Sequence, residues 1–117
     1  MDYNKLTKKQ KLSCLSLFPE ESKKDEDWCI RREAYQALGY TEEAKKDENN
    51  YIRSEAYRVL GYTEESKKDE NNYIRKGAYR ALGYTEESKK DENNCIRLEA
   101  IMYEEIKNKL NQANNKQ

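Results

Sequence analysis

The chain has 117 residues, enough for one domain or one short array. Its 23 basic and 23 acidic residues cancel, which removes any long-range pull toward nucleic acid or an anionic membrane, and no apolar run approaches the length of a membrane span. Charged residues make up 39% and apolar ones 35%, a balance that leans toward disorder, but ten tyrosines with large apolar rings and apolar residues at fixed places predict a folded chain with a thin, tyrosine-rich core.

The start, Met1 to Lys5, leads into no signal-type apolar stretch, so a cytoplasmic location is the default expectation. Residues 7–17 are predicted to form a helix. Thr7 and Gln10 make a capping box, and Leu12, Leu15 and Phe18 are placed to cover the first repeat unit, which begins at Pro19. Residues 1–18 are therefore read as an N-terminal cap. From Pro19 the chain repeats itself at 22 residues: Leu38-Gly39-Tyr40-Thr41 aligns with Leu60-Gly61-Tyr62-Thr63 and Leu82-Gly83-Tyr84-Thr85. Such a period signals a solenoid whose units bury their apolar faces against one another. Four units fit, 19–40, 41–62, 63–84 and 85–106.

Residues 41–62 serve as the type unit. Thr41 is a good N-cap for a short first helix over about residues 42–47, with 3₁₀ character expected; Glu42-Glu43 open it and Lys45-Lys46 close it, matching the helix dipole. Asn50 is the predicted N-cap of a second helix from Tyr51 to Leu60. Gly61 comes next, where a left-handed residue is wanted, and Tyr62 folds back on the last turn. Ile52, Ala56, Val59 and Leu60 fall on one face of the second helix. Each buried Ile or Leu contributes roughly 1.5–3 kcal/mol, and a ten-residue helix, marginal alone in water, needs that burial. Gly77, inside the second helix of unit three, is expected to cost about 1 kcal/mol relative to alanine.

The ends differ from the middle. Pro19 opens unit one, where a helix start tolerates it, and Trp28 stands where the type unit has Asn50. At the far end Glu104-Glu105 replaces the Leu-Gly stop. The last helix is predicted to run on with Ile96, Ala100, Tyr103, Ile106 and Leu110 on one face, and residues 111–117 are expected to be disordered. Cys29 and Cys95 share a unit position three units apart, about 25–30 Å in a stack of helices roughly 8–10 Å apart, so no bridge joins them. Cys14 has no obvious partner, and free thiols fit a reducing compartment.

The pattern Asp-x-x-x-x-Ile-Arg-x-x-Ala-x-x-x-Leu-Gly, as in Asp47 through Gly61, resembles the second helix of short HEAT-like repeats, and is similar to the leucine-rich-repeat-variant family, whose units pair one short and one longer helix. The resemblance covers about 90 residues, Pro19 to Ile106. It implies an all-α fold: a right-handed α-α superhelix of four short two-helix units with capping helices. The unit is shorter than a usual HEAT unit, and the cysteine cluster that carries iron–sulfur in some variant-repeat proteins is missing, so no cofactor is implied.

Four sets of positions are candidates for function. Asp25, Asp47, Asp69 and Asp91 each precede Arg31, Arg53, Arg75 and Arg97 by six. The resemblance implies that these form an internal brace, arginine forks holding acids of a neighbouring unit; the alternative is an arginine-lined groove for an acidic ligand. Tyr35, Tyr57 and Tyr79 lie four residues after an arginine, beside the apolar face. Together with Arg58 and Arg80 they are the candidate partner-binding positions, tyrosine and arginine being enriched in binding hot spots; the alternative is that the rings fill space between units. The second helix also varies at Arg32, Ser54, Lys76 and Leu98 and at Gln36, Arg58, Arg80 and Met102. The fourth set is the acidic and basic bands of the first helices, read as solvated helix ends.

With no histidine there is no His-based general base, triad or zinc site, and no phosphate loop appears among the four glycines. No enzyme, metal or cofactor is expected. A scaffold for a protein or peptide partner is the leading expectation. The alternatives are nucleic-acid-backbone binding through Arg31, Arg53, Arg75, Arg58 and Arg80, which the zero net charge disfavours, and a structural, self-assembling role. Monomer or weak self-association is expected.

Overall fold

The computed structural model describes residues 1–115. It is all-helical among those residues, with no strand. The α-helices are α1 (Lys8–Ser13), α2 (Pro19–Lys23), α3 (Trp28–Leu38), α4 (Asn50–Leu60), α5 (Asn72–Leu82) and α6 (Asn94–Asn115), with 3₁₀ turns at Tyr3–Lys5, Leu15–Leu17, Glu42–Lys46, Glu64–Lys68 and Glu87–Lys90. The chain forms two compact units, residues 1–61 and 62–117, each holding two of the sequence repeats.

The second helix of each repeat starts one residue earlier than its sequence suggests. Asn49, not Asn50, is the N-cap of α4; its side chain accepts from Tyr51 N at 2.9 Å and Ile52 N at 3.1 Å. Asn71 caps α5 in the same way, and Asp27 caps α3 through Cys29 N. The adjacent-asparagine pair allowed either reading; the first asparagine wins because the chain is still extended there, as a capping side chain requires. All three helices stop at a glycine with φ of 104–107° and ψ of 143–144°. This is extended backbone at positive φ rather than the left-handed helical pair, a region essentially reserved for glycine.

The buried face of these helices also departs from expectation. In α4 it is Ile52, Arg53, Ala56 and Tyr57, repeated in α3 and α5. Val59 and Leu60 are exposed. Val59 lies about 90° from the centre of that face, and Leu60 sits in the last turn. The core of the first unit is a cluster of Tyr35, Ala44, Ile52 and Ala56, with Tyr40 packed against it. Alanine at 34, 56, 78 and 100 is buried in every repeat, leaving room for such a ring. Tyr35 and Tyr40 stack with centroids 5.6 Å apart, as Tyr79 and Tyr84 do at 5.4 Å in the second unit.

Thr41 precedes its 3₁₀ turn without the side-chain cap bond that the sequence suggests. In the second unit the buried hydroxyls of Ser66 and Ser88 accept from Thr63 N at 3.0 Å and Thr85 N at 2.9 Å and donate back to the same residues' carbonyls. Ala44 occupies that place in the second repeat.

Gly77 is not a plain helix defect. A Cβ there would stand 2.5 Å from the Tyr62 hydroxyl and 2.7 Å from Cζ, so the ring lies in space that the glycine vacates. Alanine's helix-propensity gain of roughly 1 kcal/mol is therefore opposed by displacement of the ring. We expect Gly77→Ala to melt at or below the wild-type temperature; a rise of about 4 °C or more in a thermal scan would show that the ring moves freely.

The N-terminal cap is broken rather than one helix over residues 7–17. The Thr7–Gln10 capping box is present, but α1 ends at Ser13 and a 3₁₀ turn succeeds it. At the other end α6 continues through Asn115, so residues 111–115 are helical rather than disordered; residues 116 and 117 of that expectation lie outside the described residues. Cys14, Cys29 and Cys95 are free thiols.

Candidate functional site

The Asp–Arg positions build the same joint in each unit. In the first, Arg31 Nε and Nη2 donate to Asp47 Oδ2 and Oδ1, both at 2.9 Å. In the second, Arg75 donates to Asp91 at 2.9 and 3.0 Å. Each fork thus holds the aspartate sixteen residues ahead, in the next repeat. Its third nitrogen turns back: Arg31 Nη1 donates to the carbonyls of Asp25 and Glu26, and Arg75 Nη1 to those of Asp69 and Glu70. Arg53 and Arg97 make the same backward bond, to the carbonyls of Asp47 and Asp91 respectively. Each aspartate also accepts from the backbone two residues on, as Asp47 Oδ1 does from Asn49 N at 2.8 Å. One side chain therefore closes its own capping turn and receives the previous repeat's guanidinium.

Both partners are buried, Arg31 and Asp47 each with 8% of the side chain exposed. The Arg31 and Arg75 guanidiniums have their pKa pushed further up, chiefly by the bond to the carboxylate. Burial opposes ionisation of Asp91, but the bonds from Arg75 and Asn93 N outweigh it and hold the carboxyl below its usual range. With the guanidinium edges of Arg31 and Arg75 spent on protein acids, neither offers a groove to an acidic ligand.

Asp25, the first of the set, has Tyr3 and Lys11 in place of an arginine. Tyr3 Oη donates to Oδ2 at 2.7 Å and Lys11 Nζ at 2.9 Å. Burial, then the bond to Asp25, pushes the Tyr3 phenol well above its usual pKa. Sequence reading missed both residues, because they imitate the fork's chemistry and not its place in the repeat.

The structure corrects the candidacy of Tyr35, Tyr57 and Tyr79. All three are buried, since they share the helix face with the buried arginine and alanine. Lysines from the preceding 3₁₀ or α-helical segment cover these rings: Lys23 lies 5.6 Å from the Tyr35 centroid, Lys45 5.3 Å from Tyr57 and Lys67 5.8 Å from Tyr79. Lys45 and Lys67 of the basic bands therefore pack on rings, in cation–π contacts, instead of standing in solvent, while Lys89 pairs with Glu86 and Glu104. Arg58 is exposed and pairs within its own helix with Glu55 at 3.2 Å. Arg80 is exposed but committed: its fork holds Glu99, to which Tyr84 Oη also donates. Those two bonds, Arg80 first, lower the Glu99 carboxyl from its ordinary 4.5 to about 2.

The Glu99 shift sets a pH window. A carboxyl whose folded pKa is depressed stabilises the fold above its unfolded value and loses that contribution as pH falls through the folded one. Asp25, Asp27 and Asp91 shift in the same direction. Thermal melts should be level down to about pH 5 and fall between about 4.5 and 2. Glu99→Gln should flatten part of that fall.

The exposed aromatic and apolar side chains lie elsewhere. Trp28 and Tyr51 stack 6.1 Å apart on the first unit, and Tyr73 stands exposed on the second. Along α6, Leu98, Ile101, Met102, Tyr103, Ile106 and Leu110 are all exposed. Arg80, Tyr84, Glu99, Met102, Tyr103, Ile106, Lys107 and Leu110 line one groove there. Leu98, Met102 and Arg80 belong to the positions that vary between repeats, the third candidate set.

No group of three or more His, Cys, Asp or Glu able to hold a metal occurs among the described residues, and none of their helices is long and apolar enough to cross a membrane. Comparison with protein-family models, curated proteins and solved structures gives no match.

Proposed function

We infer that this chain is a non-catalytic helical-repeat scaffold, with its four repeats stacked as one right-handed α-α superhelix, that binds a protein or peptide partner. Two observations support the stacking: the Arg31–Asp47 and Arg75–Asp91 joints use the same atoms, and a stacked tyrosine pair recurs in each unit. The exposed apolar row on α6 carries the binding reading. Scattered single apolar residues are normal on a surface, but a contiguous row on one helix marks an interaction site. Three free thiols fit work in a reducing compartment.

The test is partner capture with cross-linking, then reconstitution with the purified partner. The double variant Met102→Glu/Ile106→Glu replaces two exposed side chains, so it is expected to keep the helical circular dichroism and lose the partner. Full binding by that variant would remove α6 from the interface and the reading with it.

A further inference from the structure

Repeats one and three present the same four positions to the next repeat along the chain. In the first unit these are Arg31, Tyr35, Gln36 and Tyr40; in the second, Arg75, Tyr79, Arg80 and Tyr84. The arginine fork seats an aspartate. Tyr35 and Tyr40 pack with Ala44, Ile52 and Ala56 of the next repeat, and Arg80 and Tyr84 hold Glu99 of the next. The fourth repeat carries Arg97, Ile101, Met102 and Ile106 at these positions.

Arg97 is anchored like its counterparts, with Nη1 donating to the Asp91 carbonyl. Its fork holds no carboxylate among the described residues, because the residue sixteen ahead is Ala113, on the same helix. Beside it Ile101 is 46% exposed and Met102 62%, whereas Tyr35 and Tyr79, the counterparts of Ile101, are buried. Ile106 lies half a turn round α6 from Arg97, because this helix runs on where Tyr40 and Tyr84 follow a glycine stop. A helix face that meets only water carries polar residues. Here tyrosine, glutamine and arginine positions have become isoleucine and methionine, next to an anchored guanidinium with its bidentate edge open.

We propose that this face docks a helical segment of a partner protein that opens with an aspartate-capped turn, the aspartate seated in the Arg97 fork and the helix covering Ile101 and Met102. The proposal rests on the binding reading above and names the partner's chemistry. None of the repeat-turn aspartates of a second copy of this chain is open to supply the acid. Its Asp25 is held by Tyr3 and Lys11, Asp47 by Arg31 and Asp91 by Arg75, and Asp69 is not free.

The probe is a synthetic peptide of the sequence 41–62, which carries the turn Lys-Lys-Asp-Glu-Asn-Asn, titrated into the isotope-labelled full chain. Saturable shifts are expected at the Arg97 Nε–H and the amides of residues 101–106. Asp47→Asn in the peptide or Arg97→Gln in the protein should each weaken binding about tenfold or more, as loss of a charge-assisted bond does. Arg97→Lys, which keeps the charge without the fork, should recover only part. Circular dichroism checks that these variants stay folded. No saturable shift at millimolar peptide, or shifts indifferent to both substitutions, overturns the proposal. So does a dimer in sedimentation that Met102→Glu dissolves and Arg97→Gln does not, which assigns the face to a second copy. If Met102→Glu/Ile106→Glu abolishes partner capture while Arg97→Gln leaves it intact, the acid-turn chemistry fails and the binding reading stands.

Discussion

Arg31→Ala is expected to destabilise the protein by about 3–5 kcal/mol, the cost of removing one member of a buried ion pair. The loss has two parts. Asp47 keeps its backbone bond to Asn49 but loses both guanidinium bonds, leaving a charge nine-tenths buried without its counterion. The carbonyls of Asp25 and Glu26 lose the donor that closes their turn. Arg97→Ala is the internal control. It breaks a backward bond of the same kind, to the Asp91 carbonyl, and strands no carboxylate, so its cost should be clearly smaller. Urea denaturation of the two variants checks the order; equal losses would show that the fork contributes nothing beyond its backward bond. The double variant Arg31→Met/Asp47→Leu, which removes both charges, should recover part of the loss, as apolar replacement of buried pairs often does.

Ile52→Ala is expected to cost about 2–5 kcal/mol, the range for truncating a buried aliphatic side chain. Ile52 is fully buried in a cluster whose other members are two tyrosines and two alanines. The alanines have nothing to move into the vacated space, and the tyrosines are held by their stacking, so the site collapses poorly and the upper half of the range is expected. Against a total stability of order 5–15 kcal/mol this is a large share. The midpoint should fall in urea with the slope unchanged; a loss under about 1 kcal/mol would mean that the layer repacks.

The parts of this architecture written in local spacing were legible in the sequence. The glycine after Leu60, the Thr7–Gln10 box and the Asp–Arg register all rest on contacts whose chemistry selects few residue types. A repeat shows that a position is constrained without showing which way it faces. Tyr57 was therefore open to two readings and proved buried, while Val59, apolar and at helical spacing, proved exposed. Tyr3 and Lys11 were illegible for another reason: they sit outside the repeat and serve Asp25 through a hydroxyl and an ammonium where other repeats use a guanidinium. The open face of α6 was half legible. The row Tyr103, Ile106 and Leu110 could be read from spacing, but that it is uncovered, and that the Arg97 fork holds no carboxylate among the described residues, needed coordinates.

The stacked pair of Trp28 and Tyr51 has a practical consequence for how unfolding is observed. Trp28 is the sole tryptophan and belongs to the first compact unit, where the Arg32 guanidinium also lies over its ring at 5.5 Å. Indole emission is thus a one-sided reporter, sensing the fate of residues 1–61, while far-ultraviolet ellipticity averages over every helix. If the halves melt separately, the two traces will part, and the gap between them measures how far cooperativity extends along the repeats.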